Sequence, residues 1–477
     1  MAACLLVVFD GLRPDMMRPE TTPNLLRFTA LGTRFAQARS VFPSETRVCS
    51  ASVATGCLPR RHGLVANQFA HPLRPGKRLD TGLVEELRAF EQEAGAPLLE
   101  TPTLGEILAR AGHECAVLSS GTTGQTHVLN PRADSLRQIT LSAHGPHACS
   151  DAGRRLLATL DPPPAPAVER AVWIAEVCRT RFLPAPPALT ILWLCEPDTS
   201  GHFAGLGSPA QLAALRTTDA AFGRIIDDWQ AGPRREELQI AVASDHGHAC
   251  ISGHVDVASA LAGVPAADGC THLRGSSGGI FVPGADPARI AALAAWLMRQ
   301  DWCGTVYADA SAPLPPGVLQ RGLLLADHRR AAHVLYTLRA EGDATLFDGT
   351  LAVGAGTHGG LSAAEMNTVL MLGGSRVNCD TVSQAPAGLV DIAPTVLTLL
   401  GIDGGNAMDG RVLKEALAGR PAAGPTPQPD RFEAAVQGYG QRLRRTRFGD
   451  RIYIDEAYRF SGEPVHTGRR EETSCDI

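Results

Sequence analysis

Short apolar runs and amphipathic segments of helical period take turns along the chain. Cys4–Phe9 is a continuous apolar run of strand length, closed by Asp10-Gly11. Cys115–Leu118, Leu189–Leu194, Gln239–Ala243 and Thr368–Leu372 read the same way. Between them the apolar period changes to that of a helix. Thr101-Pro102 opens one helix as cap and first residue, with Leu104, Ile107, Leu108 and Ala111 on its apolar face and Gly112 at its end. Ser208-Pro209 opens a longer one to about Trp229, with Leu212, Leu215, Phe222 and Ile225 on one side. Val390–Leu400 is a closing helix, stopped by Gly401.

Fully apolar strands separated by helices predict an α/β fold, a mostly parallel central sheet with helices on both faces. Residues 249–354 interrupt the rhythm. Gly278–Val282 and Thr305–Tyr307 read as strands flanking a helix from Pro287 to about Gln300, a βαβ piece that predicts a small α+β cap insertion. The expected division is a catalytic domain in two parts (1–248 and 355–420), the inserted cap (249–354), and a linker with a C-terminal extension (421–477). The linker expectation rests on the Gly- and Pro-rich run after Ala418. Arg442, Arg444, Arg445 and Arg447 form a basic cluster near the end, read as a solvated helix face or a subunit contact in a homo-oligomer.

With 477 residues, 44% of them apolar and 19% charged, the chain has enough material for a sizeable core. A net charge of −5 gives no sign of a nucleic-acid surface. The apolar run near the N-terminus is about six residues long and has no basic flank, so it reads as a strand and not a leader. No apolar stretch reaches the ~18 residues of a membrane helix. The twelve cysteines are scattered without a CxxC pair, as in proteins of a reducing compartment, and a cytoplasmic location is expected.

The segment Phe42–Gly63 organises the chemistry. Pro43-Ser44 makes a turn, Arg47–Thr55 has helix character and Gly56 is placed to stop it. Thr46 therefore sits at or just before a helix N-terminus, where unpaired N–H groups attract an anion. Taken alone it is either a helix cap or a nucleophile that needs a base or a metal to activate it. Three further motifs combine acids with histidine: Asp198-Thr-Ser-Gly-His202, Asp245-His246-Gly247-His248 and Gly356-Thr357-His358-Gly359-Gly360. Asp10, Asp198 and Asp245 each follow a predicted strand, which puts three carboxylates on one sheet edge. Such oxygen- and nitrogen-rich sets suit Zn²⁺ and, less tightly, Mn²⁺. There are enough of them for two ions, the clamp used in phosphoryl transfer.

The ordered set Asp10, Thr46, Asp198/His202, Asp245/His246 and His358 resembles the alkaline phosphatase superfamily. Within it the chain is most similar to the nucleotide pyrophosphatase/phosphodiesterase and phosphonoacetate hydrolase branch, from residue 3 to about 403. The resemblance implies the alkaline-phosphatase-like fold and a two-metal hydrolase acting on a small phosphorylated substrate. It implies that Asp198, His202 and His358 hold one zinc, and that Asp10, Asp245 and His246 hold the other together with the Thr46 oxygen. Thr46 would then attack phosphorus and form a phosphothreonine. Val390-Asp391-Ile-Ala-Pro-Thr395 is also typical of the superfamily.

Departures from the family fall on the part that selects substrate. Many relatives carry an Asn three residues after the nucleophile; here that position is Cys49, a weak donor. Arg47 follows the nucleophile and is either a bidentate phosphate ligand or an ion pair with Glu45. Asn67 is a second candidate contact. His248 lies two residues past an expected ligand, within reach of the pocket, and His254 and His272 lie in the inserted region. Ser119–Thr126 reads as a plain strand-to-helix loop. The expected activity is cleavage of phosphate diesters or nucleotide pyrophosphates. C–P hydrolysis of a small phosphonate and monoester hydrolysis are the alternatives inside the class, and a non-catalytic binding protein the one outside it. Sulfatase activity is disfavoured, because those relatives need a Cys or Ser where this chain has Thr46.

Overall fold

Eight strands form the central sheet of the computed structural model, which describes residues 2–309, 313–419 and 424–461. In chain order they are β1 (Ala3–Phe9), β2 (Gly32–Arg39), β3 (Cys115–Ser119), β4 (Ile139–Ser142), β5 (Leu189–Leu194), β6 (Leu238–Ala243), β7 (Leu370–Gly373) and β8 (Thr381–Gly388). Their spatial order is β8-β2-β7-β6-β1-β5-β3-β4. Only β7 runs against its neighbours, β2 and β6. The other pairs are parallel, so the expected mostly parallel α/β sheet is what forms.

The continuous apolar runs follow from burial on both faces. Along β1, Cys4, Leu6 and Val8 join a core that includes Val48 and Val53 of the Thr46–Thr55 helix and Val396 of the Ile392–Leu400 helix. Leu5, Val7 and Phe9 point the other way, against Phe222 and Ile225 of the Pro209–Ala231 helix. Strands β2, β4 and β8 carry too many polar residues for their sequences to announce them: Gly-Thr-Arg-Phe-Ala-Gln-Ala-Arg for β2, and a β8 that holds Pro386 at the sheet edge. One helix start moves as well. The helix predicted from Thr101-Pro102 spans Leu104–Arg110 and is capped by Thr103. Thr103 has Glu106 at the third helical position, which completes a capping box; Thr101 would have Leu104 there.

The inserted region builds its own five-stranded sheet, in the order Thr271–Leu273, Ser277–Phe281, Val334–Leu338, Cys303–Ala308, Leu319–Gln320. The expected βαβ piece is therefore split. Ser277–Phe281 and Cys303–Ala308 flank the Pro287–Met298 helix, but Val334–Leu338 lies between them, antiparallel to both. A separate four-stranded sheet joins Ala249–His254 to Ala344–Phe347 and to Gly356–Thr357, carrying the chain back to the site.

The basic cluster near the C-terminus is not a helix face. Gln428–Val436, Tyr439–Phe448 and Arg451–Phe460 form a three-stranded antiparallel sheet. The two-residue period of a strand divides the arginines. Arg445 turns inward, bonded to Asp430 at 2.6 Å and stacked over Phe432, whereas exposed Arg444 pairs with Glu456 at 2.8 Å. This sheet is seated on the rest of the molecule. The fully buried Gln441 amide bonds both the N–H and the C=O of Val306, and Tyr453 donates its hydroxyl proton to Asp391 at 2.9 Å. Residues 420–423 of the expected linker and residues 462–477 lie outside the described residues. Among the described residues no helix is long and apolar enough to cross a membrane.

The Tyr453 contact predicts a measurable role for this C-terminal sheet. Tyr453→Phe leaves a fully buried Asp391 oxygen and the Arg411 Nε–H without the hydroxyl. Such a loss costs about 1–3 kcal/mol. The urea denaturation midpoint is expected to fall accordingly; an unchanged midpoint would mean that these strands contribute nothing to the core's stability.

Candidate metal and nucleophile site

Three adjacent strands, β6, β1 and β5, end side by side. Asp10 directly follows β1, Asp245 lies two residues past β6, and Asp198 four past β5. The parallel order thus collects three carboxylates from distant parts of the chain at the carboxyl edge, where such sheets bind ligands. Asp198 opens the short helix Asp198–Ala204, and one turn later the same face presents His202. His358 arrives on the loop after Gly356–Thr357. Ser44 pins that loop: its hydroxyl donates to Gly360 O at 2.9 Å and accepts from Gly359 N at 3.1 Å.

The acids and imidazoles gather in two places. At one, His246 Nε2 lies 3.3 Å from both an Asp10 and an Asp245 carboxylate oxygen. At the other, Asp198 Oδ1 has His202 Nε2 at 3.2 Å and His358 Nε2 at 3.5 Å. His248 also arrives, with Nε2 at 2.9 Å from the same oxygen. The ligand atoms of Asp198/His202/His358 and of Asp10/Asp245/His246 each lie within 4.8 Å of one another, as do those of Asp198/His246/His248. All six residues expected as ligands are brought together.

Two observations test whether these residues fit divalent ions. First, Asp10 Oδ1, Asp198 Oδ1 and Asp245 Oδ2 are buried without a hydrogen-bond donor. Imidazole nitrogens lie 2.9–3.5 Å from them. Buried carboxylate oxygens without partners are costly unless a cation meets them. Second, each ring is held by its other nitrogen. His202 Nδ1 faces Gly356 O at 2.7 Å, and His246 and His358 Nδ1 face the Gly247 and Ser44 carbonyls at 2.9 Å. Those carbonyls accept a proton from Nδ1, so each neutral ring presents the Nε2 lone pair to the site, as metal-binding histidines do. The donor set fits divalent metal ions.

The charges tell the same story. Burial and the neighbouring Asp10 push Asp245 well above the carboxylate range. Burial also works against charge on His246, but Asp245 and Asp10 lift its ring to about 10. His358 is driven well down by burial and by the His246 ring beside it, 3.6 Å away in a stack. The crowd of acids draws positive charge into the site, and not every ring can carry it.

Thr46 is the first residue of the Thr46–Thr55 helix, which Gly56 ends in the left-handed conformation. Its Oγ1 lies 3.2 Å from His246 Nε2, at the Asp10/Asp245 side. The neighbours differ in fate. Cys49 is fully buried, with its sulfur 3.3 Å from Ser40 Oγ. Asn67 accepts the backbone N–H of Arg47, the residue after Thr46, at 3.2 Å. Arg47 makes no ion pair with Glu45 within 4 Å among the described residues. The Glu45 carboxylate is instead engaged by the Asn67 backbone N–H, and Arg47 Nε is buried without a partner. Glu45 is thus a positioning residue that sequence reasoning weighed only as a partner for Arg47; its place next to Thr46 was the available signal. His272 bonds Tyr336 at 2.6 Å and His254 bonds Leu351 O, so neither joins the site. Ser119 bonds Gln125 and Thr122 caps the helix after it, as a plain strand-to-helix loop requires.

A doubly wound sheet with paired acid–imidazole sets and a helix-end hydroxyl defines the alkaline phosphatase superfamily. The model of the type I phosphodiesterase/nucleotide pyrophosphatase family matches residues 4–285, and the chain belongs to that family. Among curated proteins it is 24% identical over 245 residues to human ectonucleotide pyrophosphatase/phosphodiesterase family member 5, covering 51% of this chain and 44% of that one. It is 24% identical over 246 residues to mouse bis(5'-adenosyl)-triphosphatase, covering 51% and 47%. The matched region thus spans somewhat less than half of those two relatives. Among solved structures, human ectonucleotide pyrophosphatase/phosphodiesterase 5 aligns with a TM-score of 0.63 at 19% identity, over 88% of this chain and 100% of that one. The inactive murine protein in complex with AMP gives 0.59 at 19% identity, over 84% and 96%.

The donor set predicts strong linkage between metal and stability. Saturating Zn²⁺ at 100 times its Kd is expected to add about 2.7 kcal/mol per site, seen as a rise in Tm that EDTA reverses. Because imidazole ligands must be neutral to bind, the gain shrinks as pH falls. A Tm indifferent to zinc and EDTA at neutral pH would refute the metal reading.

Proposed function

We propose that this chain is a two-metal hydrolase that cleaves phosphate diesters or nucleotide pyrophosphates through a phosphothreonine at Thr46. One observation carries the reading: Thr46 opens a ten-residue helix and its Oγ1 stands 3.2 Å from His246 Nε2, on the side where Asp10 and Asp245 each keep one oxygen without a donor. Divalent ions held by Asp198, His202 and His358 and by Asp10, Asp245 and His246 would supply Lewis acidity, lowering the hydroxyl pKa and offsetting phosphoryl charge. Thr46 Oγ1 gives up its proton to solvent and attacks phosphorus in line, and the leaving oxygen departs with the bonding pair and takes up a proton. Water then cleaves the phosphothreonine and restores the hydroxyl. Two inversions give net retention at phosphorus. The positive end of the helix dipole favours the phosphoryl group at Thr46. Family membership supports a nucleotide as the phosphorylated substrate, as do the activity named for the mouse relative and the AMP bound by the murine neighbour.

Arg47 supports a second reading, a monoesterase or a C–P hydrolase of the phosphonoacetate type. A guanidinium whose Nε is buried without a partner, next to the nucleophile, suits the extra charge of a terminal phosphoryl dianion.

Zinc-loaded protein assayed on a p-nitrophenyl phosphodiester, the matching monoester and phosphonoacetate separates these readings. A diester preference of about tenfold in kcat/KM corresponds to about 1.4 kcal/mol of transition-state binding and is the expected result. Thr46→Ala is expected to lose about a thousandfold or more; full activity in that variant would refute the nucleophile. If the second reading holds instead, Arg47→Ala costs the monoester or phosphonate reaction about 1.5–3 kcal/mol and spares the diester.

A further inference from the structure

Water reaches the two acid–histidine clusters unequally. The side chains of Asp245 and His246 are wholly buried and that of Asp10 is 4% exposed, whereas those of Asp198 and His202 are 13% and 18% exposed. The site therefore opens over Asp198 and His202. Thr46 Oγ1 stands at the closed side, by His246. In an in-line displacement the leaving oxygen departs opposite the nucleophile. The leaving group of the reaction proposed above thus exits through the opening, past Asp198 and His202.

The rim of that opening is apolar. Phe203 follows His202 near the end of the Asp198–Ala204 helix. Its ring centroid is 6.3 Å from that of His202, with the two planes at 68°. It is 80% exposed, more than any other large apolar side chain among the described residues. A second exposed apolar residue, Val353, lies on the neighbouring loop, to which Leu206 N is joined by a bond to Gly354 O at 2.9 Å. Single exposed apolar residues are ordinary on a protein surface, but this one stands against a site histidine where the site meets solvent. Neither residues 199–207 nor residues 349–357 include a Lys or an Arg. A charged leaving group such as pyrophosphate would meet no countercharge from these segments.

From this geometry we infer that Phe203 is a specificity residue that receives an aromatic leaving group on its exposed ring. The inference rests on the phosphothreonine reading above and narrows it. The preferred substrate is a phosphodiester whose departing group is an uncharged aromatic alcohol, in place of a pyrophosphate. A second ring can stack offset on Phe203 or meet it edge to face, arrangements that add to the gain from burial alone.

The test uses two phosphonate esters of equal charge on the zinc-loaded full chain, each with one aromatic ring. In p-nitrophenyl methylphosphonate the ring leaves; in trifluoroethyl phenylphosphonate it stays bonded to phosphorus. Each variant is compared with the wild type on one ester at a time, so the intrinsic reactivity of the leaving groups cancels. Phe203→Ala is expected to lower kcat/KM on the first ester by about five- to tenfold and to leave the second within about twofold. Phe203→Trp is expected to keep the wild-type rate on the first. An unchanged rate of Phe203→Ala on the first ester, or an equal loss on both, would overturn the inference. The phosphothreonine reading has its own control, Thr46→Ala on the first ester: lost activity there keeps that reading whatever Phe203 does, and full activity sinks it. A wild type that turns over neither ester would overturn both.

Discussion

Repulsion among carboxylates gathered without donors shapes this molecule. Asp10, Asp198 and Asp245 stand at the ends of three neighbouring strands, each with an oxygen that no hydrogen bond satisfies. Buried charge of one sign is tolerated only where opposite charge is bound to meet it. Everything around the carboxylates serves that end. Trp193 Nε1 donates to Asp10 Oδ2 at 2.9 Å and Gly11 N to Asp245 Oδ1 at 3.0 Å, so these two acids each spend one oxygen on position and keep the other for the site.

The imidazoles are held by the same economy. Each rests its Nδ1 on a backbone carbonyl: His248 on Gly11, His358 on Ser44, His202 on Gly356, and His246 on Gly247 beside it. Main-chain carbonyls move less than side chains, so the four Nε2 lone pairs are aimed before any ligand arrives. That preorganisation crowds acceptors against acceptors at a cost in stability that a bound cation would recover. Thr46 enters the arrangement at a helix start, and the bonds of Glu45 to Asn67 N and of Arg47 N to Asn67 Oδ1 fix the backbone around it.

The family match ends at residue 285, yet the site does not. His358 arrives after the inserted five-stranded sheet, on a loop tied to Ser44 and, through Ser276, to the insertion: Ser276 Oγ donates to His358 O at 2.7 Å. The C-terminal strands brace the same region, since Ala457 N bonds Leu361 O at 2.8 Å. The insertion and the C-terminal sheet therefore support the placement of a site residue as well as adding to the fold.

The sequence by itself determined the central strands, the long helix and the six acid and histidine residues of the two clusters. Strands buried on both faces read as unbroken apolar runs, and residues placed just after such strands must share one edge. It could not show β2 or β8, because strands of mixed polarity lack that pattern. Nor could it give the split of the inserted βαβ piece, which depends on a strand some thirty residues further on. The arginines near the C-terminus looked like one cluster, but pairing in a sheet turned Arg445 in and Arg444 out. Cys49 read as a weak donor and Arg47 as a phosphate ligand or a partner of Glu45; the fold set the Cys49 sulfur against Ser40 and left the Arg47 Nε without a partner. His248 was within reach on paper; only the packing of Gly11, Gly201 and Gly356 around its ring decided that it points at Asp198. Spacing along the chain fixes which residues end strands, whereas the direction of a side chain is set by what packs against it from elsewhere.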